Sequence, residues 1–246
     1  MRKTGLLLIA LACAAAQTPE LTSEQVVALA KTFFRDTGER PMDVRVTKVV
    51  TDASGKLKRR SQSSFRVVYQ GKSTLRFAGG SLGPGGLFAS MSDSSFLDAA
   101  MKTLAPETGE PAKFEIKPPA ADGAPYLVTV KAPDSCQPMK LARNWLVPQD
   151  YPLCASYQYT LSVAPPASPV LEHFRLDLAN LPAPAKLADL GNVQIRSFRA
   201  EGDFRKAFLP GDAQPYLLPR QVVSTLETDK GWIQITNQYS PRIANK

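Results

Sequence analysis

The sequence predicts a mainly β chain of the α+β class, an antiparallel β-meander with two helices set near its start. Three observations carry this expectation. Apolar and polar residues alternate with period two along most of the chain, the pattern of strands that bury one face. Short Asp/Ser/Gly turn segments join several of these runs. Only two stretches show helical spacing instead, and both lie before residue 106.

The first helix is announced by a capping box, Thr22 followed three residues later by Gln25. Val26, Leu29, Ala30, Phe33 and Phe34 then recur on one stripe until Gly38 and Pro41 stop the pattern. The second helix is expected over 94–105, with Phe96, Leu97, Ala100, Met101 and Leu104 on one face and Pro106 as its stop. Strands are expected at 44–50, 65–69, 75–77, 113–117, 126–130, 154–163, 170–178, 193–198, 222–226 and 233–239. The turns are Asp52-Ala53-Ser54-Gly55, Gln70-Gly71-Lys72 and Thr228-Asp229-Lys230-Gly231. The 21 prolines fall mostly in expected connections, among them Pro118-Pro119, Pro165-Pro166 and Pro182 to Pro184, where no ladder hydrogen bond is lost.

Ahead of the first helix, Arg2 and Lys3 precede the apolar run Leu6 to Ala12, and Ala14-Ala15-Ala16 offers small residues for cleavage. This predicts a signal peptide at 1–16 and an exported, periplasmic or extracellular chain in which 17–246 forms a single β-rich envelope domain. Cys13, after Ala10-Leu11-Ala12, imperfectly matches a lipobox. A lipoprotein signal ending before Cys13, with the chain anchored through that cysteine, is the alternative. No later segment is apolar for the roughly 20 residues of a membrane-spanning helix.

The formal charge is +8, and signal cleavage would lower it by two. Its densest cluster, Lys56, Lys58, Arg59 and Arg60, lies beside an expected turn without interleaved aromatic residues. A solvated hairpin tip is favoured there over a polyanion site, and no nucleic-acid partner is expected. Two cysteines follow the signal, Cys136 and Cys154. In an oxidising compartment an even count predicts one disulfide, worth about 3 kcal/mol through the loop it closes.

Candidate chemistry is sparse. Gly79-Gly80-Ser81-Leu82-Gly83 matches the nucleophile elbow of a serine hydrolase, but an elbow needs a buried parallel strand before the serine and a helix after it. Here Arg76 precedes and Pro84-Gly85-Gly86 follows. His173 is the only histidine, expected on a strand face with Arg175 and Asp177, opposite Phe174, Leu176 and Leu178, as a cross-strand polar residue. Glu172, Asp177, Glu201 and Asp203 form no recognisable carboxylate pair, and one His with two Cys matches no zinc spacing, so no metal and no cofactor are expected. Trp145 and Trp232 suit either a ligand groove or a core, with Trp232 on the strand face opposite Ile233, Ile235 and Tyr239.

The order of elements (export signal, capped helix, meander, inserted helix) resembles the periplasmic lipoprotein-carrier, LolA-type superfamily. The end of the chain is similar too: Leu218-Pro219-Arg220-Gln221-Val222, then Asp229-Lys230-Gly231, then a last strand to Tyr239. The Cys136/Cys154 loop and the proline-rich middle depart from that pattern. The resemblance implies a curved, half-barrel-like sheet covered by the N-terminal and inserted helices, with acyl chains of a lipid or lipoprotein held on its concave face. A noncatalytic, lipid-binding envelope protein is thus expected. Its cavity residues would share one strand parity: Tyr157, Tyr159, Leu161, Phe174, Leu176, Ile233 and Ile235. The alternatives are a secreted serine hydrolase using Ser81 and a structural or protein-binding envelope module.

Overall fold

The computed structural model describes residues 21–33, 40–69, 75–80, 112–131, 135–136, 145–146, 154–165, 170–207 and 216–241. The expected signal, Cys13, the helix at 94–105 and Ser81 lie outside the described residues.

The capping box forms as its spacing requires. The Thr22 amide donates to Gln25 Oε1 at 2.9 Å and the Gln25 amide donates to Thr22 Oγ1 at 3.3 Å, satisfying amides that have no partner inside the helix. The helix α1 (Ser23–Phe33) follows. Val26 on α1 and Leu21 just before it are buried in the hydrophobic core shared with the strands.

Thirteen strands are described, all antiparallel and all joined in one sheet. The first five are β1 (Arg40–Thr51), β2 (Leu57–Tyr69), β3 (Leu75–Gly80), β4 (Lys113–Lys117) and β5 (Tyr126–Lys131). The short β6 (Ser135–Cys136) and β7 (Trp145–Leu146) precede β8 (Cys154–Val163) and β9 (Val170–Ala179). The last four are β10 (Ala183–Leu187), β11 (Gly191–Ala207), β12 (Tyr216–Thr228) and β13 (Gly231–Pro241). Ten of them run in the order β3-β2-β1-β13-β12-β11-β9-β8-β5-β4, with β10 between β11 and β7 and β6 beside β8, and the sheet does not close on itself. Every predicted strand is present, and 113–117 coincides with β4.

Two differences have physical causes. Strand β2 begins eight residues before the predicted 65–69, because Lys58 to Ser64 is a polar run whose strand form is imposed by pairing with β1. Strand β10 forms where the prolines suggested only a connection. Pro184 faces Gln194 of β11, and only Lys186 and Leu187 pair with β7 on the other side, so Pro184 occupies a stretch with one described neighbour. Residues 118–124 join β4 to its own partner β5 as the expected connection, with the Ala124 amide donating to the Ala121 carbonyl at 3.0 Å.

Two turns dock on each other at one end of the sheet. Asp52 Oδ1 accepts from the Ser54 amide (2.9 Å), the Ser54 hydroxyl (2.6 Å) and the Lys56 amide (3.0 Å), which closes the β1–β2 turn. Thr228 and Gly231 face each other across the β12–β13 turn. Gly231 has φ 139°, and a Cβ there would collide with the Thr51 carbonyl and approach Asp52 Cα to 2.9 Å. Only glycine allows this contact.

Candidate functional site

The inward parity of the strands makes one continuous buried face. One register row runs from Phe114 on β4 through Val130, Tyr159, Phe174, Gly202, Val222, Asn237 and Val46 to Ser63 on β2. All but the half-buried ends, Phe114 and Ser63, are buried. The alternation read from sequence is therefore kept across nine strands, as it must be when one face is desolvated.

The predicted cavity residues all fall on this face. Tyr157 faces Leu176, Tyr159 faces Phe174 and Leu161 faces Leu171 across the β8–β9 pair. The rings of Tyr157 and Tyr159 stack with centroids 6.4 Å apart and planes 7° apart. Tyr157 is half-buried, and desolvation raises its phenol pKa. Ile235 lies in the same row as Leu176 but three strands along, with the small Ala200 and Ser224 between them; Ile233 sits one row further. Thus β8 and β9 bring Tyr157, Tyr159, Leu161, Phe174 and Leu176 together, while Ile233 and Ile235 form a separate apolar group on the same face. Six of the seven residues are buried members of the core, and Tyr157 packs against it.

Sequence reasoning missed two features of this face. Gly202 on β11 faces Phe174, and a Cβ at Gly202 would sit inside the aromatic ring edge, 2.7 Å from Cζ and 2.8 Å from Cδ1. The glycine therefore makes the seat for Phe174, whose ring also meets Phe204 at 5.8 Å with a 58° tilt. The second is Lys48, an inward cation on β1 between Val46 and Val50. Its ammonium is paired with Asp189 from the turn between β10 and β11, and both side chains are nearly buried. The signal was legible in part, because Val44, Val46, Lys48 and Val50 share one parity; its partner 141 residues away was not.

The outer face is polar and cross-paired. Asp177 faces Arg199, Arg175 faces Glu201 and His173 faces Asp203 along β9–β11. His173 Nδ1 lies 3.0 Å from Asp203 Oδ1, and Arg199 Nε donates to Asp177 Oδ1 at 3.0 Å. Arg175 donates to Asp177 through both Nε and Nη2. Burial works to raise the Asp177 pKa, but hydrogen bonds from Arg175 and Arg199 outweigh it and hold the carboxyl below its ordinary range. His173 is the cross-strand polar residue the alternation predicts, and Asp177 is engaged by arginines rather than by His173. Glu172 accepts from the Ser162 hydroxyl at 2.7 Å. Such an opposite-charge ladder orders strand pairing and contributes little stability on an exposed face.

Strand β3, which leads to Ser81, is the antiparallel end strand of the described sheet, not the buried parallel strand of a nucleophile elbow. Trp232 is half-exposed on the face opposite Ile233 and Ile235, and Trp145 faces Leu187 in the β7–β10 pair. Among the described residues no group of three His, Cys, Asp or Glu side chains is placed to hold a metal ion, and no helix is long and apolar enough to cross a membrane. A scan against protein-family models, a search of curated proteins and a search of solved structures each return no match for this chain.

Proposed function

We propose that this is a noncatalytic, exported envelope protein that binds a lipidic or other apolar ligand on the inner face of its sheet, as a lipoprotein or lipid carrier does. The observation that carries it is the continuous, mostly apolar inward face of an open sheet, interrupted by Lys48, Ser224 and Asn237, with the Tyr157 to Leu176 cluster at one side and Ile233 and Ile235 at the other. Between them lie the short side chains of Ala200 and Ser224, over which an acyl chain would cross the strands. A sheet curved as a half-barrel and roofed by α1 and a second helix would supply the remaining wall. Support for curvature comes from Asp189, which meets Lys48 although β12 and β13 separate β11 from β1.

Native mass spectrometry of protein purified without detergent is expected to show co-purifying lipid. Tyr157→Ala is the variant of choice, because Tyr157 is half-buried and its removal hollows the core least. It should weaken uptake of a fluorescent fatty-acid analogue about tenfold or more, the loss of one aromatic contact surface, with the melting temperature changed by only a few degrees. Absence of both co-purifying lipid and fatty-acid uptake would overturn the proposal.

The proposal includes a Cys136–Cys154 disulfide. The register of the β6–β8 pair sets these residues directly opposite each other, the relation in which antiparallel Cα atoms come within bridging range. Thiol titration of the denatured, exported protein should find neither cysteine reactive, and reduction should cost about 1–3 kcal/mol. Two reactive thiols from these positions would exclude the bridge.

A further inference from the structure

We propose that the tip of the β1–β2 hairpin is a docking surface for an anionic phospholipid bilayer. The inference stands on the hairpin alone, whether or not the inner face takes a ligand. Lys56, Lys58, Arg59 and Arg60 are all exposed, and Leu57 among them is 56% exposed, the more exposed of the two large hydrophobic residues that reach solvent among the described residues. The local backbone explains this. The β1–β2 register passes from the Val50–Arg59 pair to the Thr51–Leu57 pair and skips Lys58, so the strand bulges and Leu57 leaves the parity of the core.

Three of the four cations make no salt bridge among the described residues, although the charge of Lys58 helps to lower the pKa of Asp52 in the turn. Among the described residues no carboxylate lies within salt-bridge distance of Lys56, Lys58 or Arg60. Arg59 alone reaches one, Asp189 at 3.5 Å, which Lys48 already holds more closely. The tip is also held in shape before any partner arrives. Asp52 clamps the turn with three hydrogen bonds, and the β12–β13 turn braces it through the Gly231 contact with Thr51 and Asp52. Lys230 on that bracing turn is exposed beside it, while the neighbouring Asp229 carboxylate accepts from the Gln194 amide at 2.8 Å.

A lone exposed leucine is ordinary on a protein surface. Four cations around it change its meaning, because an anionic bilayer offers both partners at once: phosphate headgroups for the ammonium and guanidinium groups, and hydrocarbon just beneath for the leucine. A soluble polyanion such as a nucleic acid would use the cations but offers Leu57 nothing, and the hairpin residues Asp52 to Arg60 include no aromatic side chain on which bases could stack.

The test is co-sedimentation of the purified protein with phosphatidylcholine vesicles, with and without phosphatidylglycerol, across a salt series. Binding is expected only with phosphatidylglycerol, and it should weaken as salt shortens the screening length from about 10 Å at 0.1 M. The double variant Lys58→Glu/Arg60→Glu should lower the partition coefficient by roughly tenfold or more, and Leu57→Ser by about fivefold, both with unchanged melting temperature since all three side chains are exposed. The same charge change at the far end of the sheet, Lys113→Glu/Lys117→Glu, should leave binding nearly intact. No dependence on phosphatidylglycerol would overturn the proposal. So would full binding by Leu57→Ser, which reduces the tip to a general polyanion site, or equal loss in the Lys113/Lys117 control, which reduces it to net charge.

Discussion

Gly202→Val is expected to lower the unfolding free energy by about 3 kcal/mol, the upper end of the cost of overpacking a core, because it drives a buried phenyl ring from its seat. Phe174 is packed over Gly202 so closely that even a single added Cβ overlaps its ring edge. Neighbouring rings crowd it: Tyr159 faces it on β8 and Phe204 meets it at 5.8 Å. Valine is a better strand former than glycine, so on an open sheet face the substitution would stabilise. Here the clash decides, because β propensity spans only about 1 kcal/mol. Urea denaturation should show a lower midpoint for Gly202→Val, with partial recovery in Gly202→Ala/Phe174→Leu, where the smaller partner yields room. A midpoint within error of the parent for Gly202→Val would show that Phe174 is not seated on residue 202.

The second large effect is an asymmetry within one ion pair. Asp189→Ala is expected to cost about 2–4 kcal/mol, because it strands the Lys48 ammonium at the buried face with no other described partner. The lower part of the range for a broken buried pair applies, since the two side chains retain 11% and 9% of their exposure. Lys48→Met should cost less. Asp189 then keeps Arg59 at 3.5 Å, and the methionine adds an apolar side chain between Val46 and Val50. The double variant Lys48→Met/Asp189→Leu should return to within about 1 kcal/mol of the parent, as buried pairs replaced by apolar residues often do. Equilibrium unfolding of the four proteins closes the cycle, and amide exchange at 183–195 should rise in Asp189→Ala if the turn loses its hold on β1. Equal losses for the two single variants would mean that Arg59 does not support Asp189.

Both effects arise where the chain meets itself at long range, and this marks the limit of what was legible in advance. The capping box at Thr22 and Gln25, the Asp52 turn and the two-residue turn before Gly231 were readable because their hydrogen bonds link residues at most four positions apart. Strand parity was readable for the same reason. Tyr159, Leu161, Phe174, Leu176, Ile233 and Ile235 are buried, and His173, Arg175 and Asp177 lie on the other face, since successive side chains must alternate once one face loses water. The polar start of β2 and the proline-bearing β10 were not readable, because neighbours across the sheet impose those strands against local preference.

The sequence by itself therefore determined the class of the protein: antiparallel strands of known parity, a capped helix and turns at their Asp and Gly positions. Only the tertiary structure decided which strands lie side by side, that β9 and β10 both pair with β11, that Cys136 faces Cys154, that Phe174 rests on Gly202 and that Lys48 meets Asp189. The physical reason is one of range. Alternation and capping are satisfied by near neighbours in the chain, whereas register and pairing are chosen by steric fit and charge complementarity between residues up to 199 positions apart, as Met42 and Pro241 are, to which no local pattern is sensitive.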